Sequence, residues 1–353
     1  MNFILKNWWN ILGVGLIIYV FTMVFMVPMG PGLLSADSSV DSVSVATIEV
    51  EGFATHFESA PDQIRAFLRT DERELIIECQ VVEVVSNSEV ILSTTMPSAA
   101  PSNSWDLLLN SKNDGTLFLA NALYHKPLIK AVPNDGAIEL NEGELFQTDL
   151  GLHFPYQPRI VESIRNLMLH VPMWFTMFLL MGIGFAQSIK TLRKGRNNLL
   201  HDSKAVSSIK VGISFGVMGL LTGSLWARFT WGAWWVNDPQ LNGALVSVMI
   251  YCGYLILRSS IADSSQRARL SAVYSLFAFV ILMVLLMVLP RFTESLHPGK
   301  SGNPAFSKYD LDSSLRMVFY PAVIGWMLIG TWMYNLCLRT ELLKEKIQTK
   351  KEY

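Results

Sequence analysis

Six stretches of the chain are mainly apolar, and each has about the 20 residues that an α-helix needs to cross a bilayer. They occupy residues 10–30, 167–189, 206–227, 240–258, 270–290 and 317–338. This pattern predicts an α-helical polytopic membrane protein with six transmembrane helices. An even number of spans places both termini on the same side of the membrane.

The segment between the first two spans, residues 31–166, has a different pattern. β-forming residues alternate or run together at 45–57, 74–84, 90–94 and 115–123, with turn-forming residues at 86–88 and 113–115. Residues 60–69 interrupt these stretches with a short helical pattern. We therefore predict an inserted β-rich domain with a small β-sandwich fold. Its histidines, His56, His125 and His153, are scattered, and we interpret them as surface residues.

Composition agrees with a membrane protein, since 51% of the 353 residues are hydrophobic and only 16% are charged. The net charge of −1 gives no reason to expect nucleic acid as a partner. The three cysteines form no CxxC pair and no zinc-type spacing. The composition therefore indicates a membrane protein.

Basic residues cluster in the connections 190–204 and 258–269 and in the tail, which predicts that these segments are cytoplasmic. Both termini are then cytoplasmic, and residues 31–166, 228–239 and 291–316 lie outside. The first span is either a cleaved signal peptide or a retained anchor, and its length favours the anchor. The predicted organisation is a first helix (1–30), an extracytoplasmic β-rich domain (31–166), a five-helix membrane domain (167–338) and a cytoplasmic tail (339–353).

A tryptophan-rich loop, residues 226–241, carries Trp226, Trp231, Trp234 and Trp235 within ten positions. One interpretation is an interfacial aromatic belt. The other is a broad apolar platform beside Gly232, on which a flat aromatic ligand can stack. Asp238 stands directly before a proline and an apolar helix, which is typical of a helix N-cap. Its alternative role is to anchor the loop or to meet a partner.

Two histidines are predicted on the same side of the membrane as this loop. His170 begins the second span, with Pro172 expected in its first turn, and His297 follows the fifth span. Neutral imidazole is a good axial ligand for iron, so the two histidines and the aromatic loop form a candidate haem site. The alternative is that both are hydrogen-bonding groups at the interface. The chain has no ATP-binding loop, nucleophile elbow or HExxH motif.

Three motifs in a fixed order carry a family resemblance: LMLHVPMW at 167–174, WGAWWVNDPQL at 231–241 and SLHPGKS at 295–301. They resemble the haem-handling, tryptophan-rich-loop family of cytochrome c biogenesis, and within it the cytochrome c maturation protein C (CcmC) family. The resemblance covers residues 165–338 and, loosely, the first span, but not the β-rich domain.

The loop matches the family pattern W-G-x-x-W-x-W-D-x-R-L at Trp231, Gly232, Trp235, Asp238 and Leu241. The chain departs from the pattern at two positions. Asn237 stands where a tryptophan is usual, and Gln240 stands where an arginine is usual.

The resemblance implies that His170 and His297 are the axial ligands of a haem b that is held transiently and non-covalently. Trp231, Trp234 and Trp235 are then expected to contact the macrocycle, and Arg228, Arg291 and Lys300 are candidate partners for its propionates. On this interpretation the protein is not an enzyme. It presents haem at the outer face of the bacterial cytoplasmic (inner) membrane to a periplasmic haem chaperone. The other expected partners are ABC transporter subunits and a small membrane subunit.

Two other hypotheses compete with haem presentation. The chain could be a permease or transporter subunit without haem, in which the loop is a gate or a belt. It could also be a membrane-anchored assembly scaffold that acts through the β-rich domain.

Overall fold

The computed structural model describes residues 2–40, 45–70, 75–126, 145–146, 148, 151–155, 163–193, 198–293 and 313–351. The chain forms two compact units, each with its own hydrophobic core. Residues 1–26 and 163–353 form the helical unit, and residues 27–162 form the β-unit.

The helical unit contains six stretches that are long and apolar enough to cross a membrane within the described ranges. The prediction of a polytopic α-helical membrane protein is therefore confirmed. Its elements are α1 (Asn2–Met26), α2 (Ile164–Leu192), α3 (Asn198–Thr230), α4 (Pro239–Ser259), α5 (Ser264–Met283), a π-helical turn (Val284–Val288), α6 (Leu289–Phe292) and α7 (Ser313–Lys351).

Several helices are longer than their apolar runs. Helix α3 begins at Asn198, so Lys204 lies in a helix rather than in a connection, and α7 continues through most of the predicted tail. Polar contacts link this end of α3 to the end of α7: the Lys210 ammonium lies 2.7 Å from Glu341, and Ser203 donates to Glu345. Hydropathy alone does not record such contacts.

Pro172 lies inside α2 rather than in its first turn, because the helix begins eight residues earlier at Ile164. The Pro172 carbonyl accepts a hydrogen bond from the Thr176 hydroxyl at 2.9 Å. This bond is an ordinary contact between a threonine and the preceding turn of the helix, whereas the carbonyl that loses its backbone donor at Pro172 is that of Met168, four residues earlier.

Within the described residues, the β-unit forms one continuous antiparallel sheet of seven strands. These are β1 (Gly32–Val40), β2 (Val45–Phe53), β3 (Ile64–Thr70), β4 (Ile76–Ser86), β5 (Glu89–Thr95), β6 (Ser104–Ser111) and β7 (Gly115–Tyr124). The order is β1-β2-β5-β4-β3-β6-β7, and the end strands β1 and β7 also contact each other. The β-rich prediction is confirmed, but the sandwich is corrected to a barrel-like sheet that curls around a single core.

The helical pattern predicted at residues 60–69 is wrong. Pro61–Gln63 form a 3₁₀ turn, and Ile64–Thr70 form β3, which pairs with both β4 and β6. Ile64, Ala66, Leu68 and Thr70 are buried at every second position, as in a strand, and Phe67 is buried as well. A central position between two partners overrides the local helical preference.

Candidate functional site

A stripe of glycines on α3 sets the register of α2. A Cβ atom added to Gly212, Gly216, Gly219 or Gly223 would meet, respectively, Met181, Met177, Trp174 or His170 at 2.7–2.9 Å. Each α2 side chain therefore occupies space that a larger residue on α3 would need. Small residues permit this close approach between membrane helices, and His170 is the last side chain in the row.

The His170 ring is half-buried and held at one nitrogen. Its Nδ1 atom lies 3.1 Å from the backbone carbonyl oxygen of Gly219 and 3.1 Å from Thr222 Oγ1. The carbonyl can only accept, and the Thr222 hydroxyl donates to the Met218 carbonyl at 2.8 Å. In the neutral imidazole the proton is thus on Nδ1 and the lone pair is on Nε2, which is the form that can coordinate a metal.

Two indole rings flank His170 edge to face. The centroid of the imidazole lies 5.7 Å from the Trp226 ring and 6.3 Å from the Trp174 ring, each at an interplanar angle of 79°. Trp226 Nε1 is buried and has no hydrogen-bond partner among the described residues. An unpaired buried donor is costly and calls for an explanation, such as a ligand.

The tryptophan-rich loop folds back on the last turns of α3. Ser224 Oγ donates to the Trp234 carbonyl at 2.9 Å, and the Arg228 guanidinium donates to the Gly232 carbonyl at 2.5 Å. Gly232 has φ +77°, a left-handed conformation that suits glycine. Arg228, proposed from sequence as a propionate partner, thus also clamps the loop.

The predicted platform residues differ in exposure. The Trp234 side chain is 60% exposed and Trp235 is 38% exposed. Trp231 is half-buried, and its backbone N–H continues the helix by donating to the Ala227 carbonyl at 2.8 Å. The two more exposed indoles can therefore meet a ligand without a change in backbone.

Asn237 belongs to a short amide network. Trp235 Nε1 donates to Asn242 Oδ1 at 3.2 Å, and Asn242 Nδ2 donates to Asn237 Oδ1 at 2.8 Å. Asn237, which replaces the family tryptophan, therefore holds the residue that orients Trp235. The sequence did not single out Asn242, because an asparagine in the first turn of a helix carries no distinctive signal.

Asp238 is the N-cap that its sequence context predicted. Its side chain is buried and accepts from the backbone N–H groups of Gln240 at 2.8 Å and Leu241 at 3.2 Å. The cap fixes the point at which the loop enters α4.

The end of the fifth span packs against the first turns of α4, where the tryptophan-rich loop ends. A Cβ added to Gly243 on α4 would lie 2.9 Å from the Leu285 carbonyl oxygen in the π-helical turn. This turn precedes Pro290, whose missing N–H interrupts the α-helical ladder. Arg291 follows on α6 and is exposed. His297 and Lys300 lie outside the described residues.

One segment of α3 joins these features. The residues of this segment that face His170 are Gly219, Thr222, Gly223 and Trp226. Those that bond to the loop are Ser224, Ala227 and Arg228. At the helical rise per residue, Gly219 and Arg228 are roughly 14 Å apart along the axis. The sequence indicated His170 and the loop but missed Trp174 and the glycine stripe, although the 4-3-4 spacing of the glycines was a usable signal.

The fold and the site define a class of polytopic membrane protein. In this class one end of a transmembrane helix, here α3, contacts both a histidine side chain and a tryptophan-rich loop. The heme exporter protein C (CcmC) family model matches residues 150–353, more than half of the chain. The chain belongs to this family. The matched range begins after β7, the last β-strand of the described residues.

Several similar proteins carry the name of this family or a related name in cytochrome c biogenesis. The chain is 27% identical over 188 residues to heme exporter protein C of Bradyrhizobium diazoefficiens, which covers 53% of this chain and 70% of that protein. It is 27% identical over 143 residues to heme exporter protein C of Haemophilus influenzae, covering 40% of this chain and 56% of that protein. A shorter match, 38% over 80 residues, is to the cytochrome c biogenesis protein CcsA of Prochlorococcus marinus, covering 23% of this chain and 25% of that protein.

Proposed function

We propose that the chain binds haem at the outer face of the bacterial cytoplasmic membrane and presents it to a periplasmic haem chaperone during cytochrome c maturation. The observation that carries this proposal is the hydrogen bond geometry of His170. Its Nδ1 faces two acceptors, the Gly219 carbonyl and Thr222 Oγ1. The neutral ring therefore keeps Nε2 as the nitrogen that can coordinate iron.

The residues present suit haem better than a bare metal ion. No group of three or more His, Cys, Asp or Glu side chains capable of holding a metal occurs among the described residues. A haem iron brings four nitrogens from its macrocycle and needs only axial ligands from the protein. The exposed faces of Trp234 and Trp235 offer stacking surface, and the unpaired Trp226 N–H lies beside the His170 ring.

In this proposal each part of the site has a physical task. The glycine stripe and the Gly219 carbonyl hold the imidazole against rotation, so little conformational entropy is lost when the iron binds. His297 would supply a second nitrogen ligand to the iron, and Arg291 would offer its charge to a propionate. The clamps at Ser224 and Arg228 keep the loop open to a partner. The chain acts as a carrier, without a catalytic residue.

The orientation and partners also belong to the proposal. Basic residues at the opposite helix ends, such as Lys190, Arg193 and Arg258, support an outer position for the loop. Residues 31–166 then lie outside the cytoplasm with the haem site. ABC transporter subunits and a small membrane subunit supply the remaining functions of the maturation system.

Optical spectra of the full chain, purified in detergent from haem-replete cells, test this function. We expect a Soret band with low-spin features in the wild type, and its loss or weakening in His170→Ala and His297→Ala. His201→Ala is the matched control, because His201 bonds Gln187 at 2.8 Å near the other ends of the same two helices. Wild-type protein without haem contradicts haem handling, whereas an unchanged spectrum in both variants contradicts only the ligand assignment.

A further inference from the structure

Two β-bulges on β4 bring apolar side chains to the outer surface of the β-unit. The register between β4 and β5 shifts at Val82 and again at Val85, so each valine is an extra residue on the bulged strand. Their side chains are 62% and 45% exposed. Ile91, half-buried on β5, lies beside Val82 in the sheet. Exposed apolar groups gathered on one sheet face indicate a surface that meets a partner.

Carboxylates surround these apolar residues on the same face, in two rows that cross four strands. In the order β1, β2, β5, β4, one row is Asp37, Glu49, Ile91 and Glu83, and the next is Ser35, Glu51, Glu89 and Ser86. The alternate positions on β2 and β5 are buried in the core: Ile48, Val50, Val90 and Leu92. Because neighbouring residues of a strand point to opposite faces, both rows face outward. We call this surface, with Val82 and Val85, the acidic face.

The charge of the acidic face is not balanced within its own strands. The sequences of β1, β2, β4 and β5 contain no lysine or arginine. Asp37 is directly opposite Glu49, and Glu51 is directly opposite Glu89. The Ser35 hydroxyl donates to Glu51 at 3.3 Å, which leaves the negative charge in place. Like charges in opposed positions destabilise a sheet, so the fold itself gains nothing from this pattern.

Strand β3 of the same unit shows the opposite arrangement. The Arg65 guanidinium lies 3.1 Å from Glu78, and the Arg69 guanidinium lies 3.4 Å from Asp106. Each arginine on β3 therefore has a carboxylate beside it. Opposite charges are paired on this side of the barrel, whereas the acidic face presents one sign of charge.

An apolar centre with a polar border is the usual form of a protein interface. The negative border favours a partner of opposite charge and repels nucleic acid and anionic lipid. We propose that the acidic face docks a protein whose contact surface has an apolar centre surrounded by lysine and arginine. This inference goes beyond haem binding, because it uses no residue of the site around His170.

A peptide of alternating lysine and valine, labelled with a fluorophore, is the probe for this chemistry. Its fluorescence anisotropy is measured with the full-length protein in phosphatidylcholine nanodiscs, and empty nanodiscs give the background. We expect saturable binding that weakens with added NaCl, and no binding of the matching peptide of glutamate and valine. Replacing Glu49 and Glu51 by glutamine should weaken binding by up to about fivefold per carboxylate, the range of an exposed ion pair.

Matched variants separate the acidic face from general effects of charge and apolar surface. Asp62→Asn/Glu78→Gln removes the same charge from the β-unit outside the two rows and should bind as the wild type does. Val82→Ser should weaken binding, whereas Leu152→Ser, at a side chain that is 73% exposed elsewhere, should not. Glu51→Gln relieves the repulsion from Glu89, so its thermal unfolding temperature should equal or exceed that of the wild type.

The native partner is tested by a photo-crosslinking amino acid placed at Val82 in cells. We expect a cross-linked peptide rich in lysine and arginine, and its loss in the Glu49→Gln/Glu51→Gln background. Capture of an acidic or neutral surface, or capture that ignores these two substitutions, overturns the proposal. Equal binding of the lysine and glutamate peptides, or equal affinity in the two double variants, overturns it as well. Haem content of the wild type decides the proposed function separately.

Discussion

The Nδ1 atom of His170 on α2 lies 3.1 Å from the backbone carbonyl oxygen of Gly219 on α3. This contact spans two helices and depends on their close approach, which the glycines of α3 permit. A side-chain partner could be altered by one substitution, but a backbone carbonyl cannot. The orientation of the imidazole is therefore a property of the helix pair. Three predictions test this and the neighbouring contacts, and a fourth tests the core of the β-unit.

Replacing Gly223 by alanine should displace His170. The new Cβ would lie 2.7 Å from His170 Cε1, and the Trp174 and Trp226 rings flank the imidazole, which leaves it little room to move aside. We expect a weaker Soret band in purified protein and a haem affinity lower by about tenfold or more, the usual scale for a disturbed metal ligand. Gly182→Ala on α2 is the control, because its Cβ would meet nothing within 4 Å. Equal haem contents in the two variants would rule out this account.

Replacing Asn242 by leucine should release the Trp235 indole, because Nε1 loses its acceptor. We expect a faster haem dissociation rate in stopped-flow transfer to a haem-scavenging protein, with little change in thermal stability. Asn242→Asp keeps the acceptor for Trp235 Nε1 but loses the donor to Asn237, so its haem dissociation rate should fall between those of the wild type and the leucine variant. If the leucine and aspartate variants release haem at the same rate, the indole is positioned by other contacts.

Loss of the α4 cap should affect both stability and haem binding. Asp238→Ala leaves the N–H groups of Gln240 and Leu241 without their acceptor and should cost about 0.5–2 kcal/mol. Asp263 caps α5 in the same way, accepting from the Gln266 N–H at 2.6 Å, away from the loop. Asp263→Ala should cost a similar amount in thermal unfolding yet retain haem. Equal haem loss in both variants would point to general destabilisation.

Burial in the barrel raises the pKa of the Cys79 thiol from its ordinary value of 9.0 to about 12. The unfolded chain therefore ionises first, and this thiol lowers the stability of the fold as pH rises from about 9 towards 12, with no contribution below that window. We expect Cys79 to resist iodoacetamide at pH 8 in native protein and to react after denaturation, as followed by peptide mass spectrometry. Rapid native labelling would show that the barrel core is open.

The prediction of six spans succeeded because the bilayer demands long apolar runs, which are visible in a single sequence. The N-cap at Asp238 was also predictable, since a cap involves neighbours within a few residues. The β3 strand could not be predicted, because Ile64–Thr70 is extended only through its pairing with β4 and β6. The barrel-like closure likewise depends on contact between β1 and β7, which are far apart in the chain.

The sequence by itself determined the membrane class, the family motifs and the presence of His170 beside an aromatic loop, because these depend on local composition and spacing. Only the tertiary structure decided which nitrogen of His170 can act as a ligand and that Trp174 and Trp226 flank it. It alone paired His56 with Asp114 across 58 positions. Such contacts join residues distant in sequence, and their distances and directions arise from packing between elements.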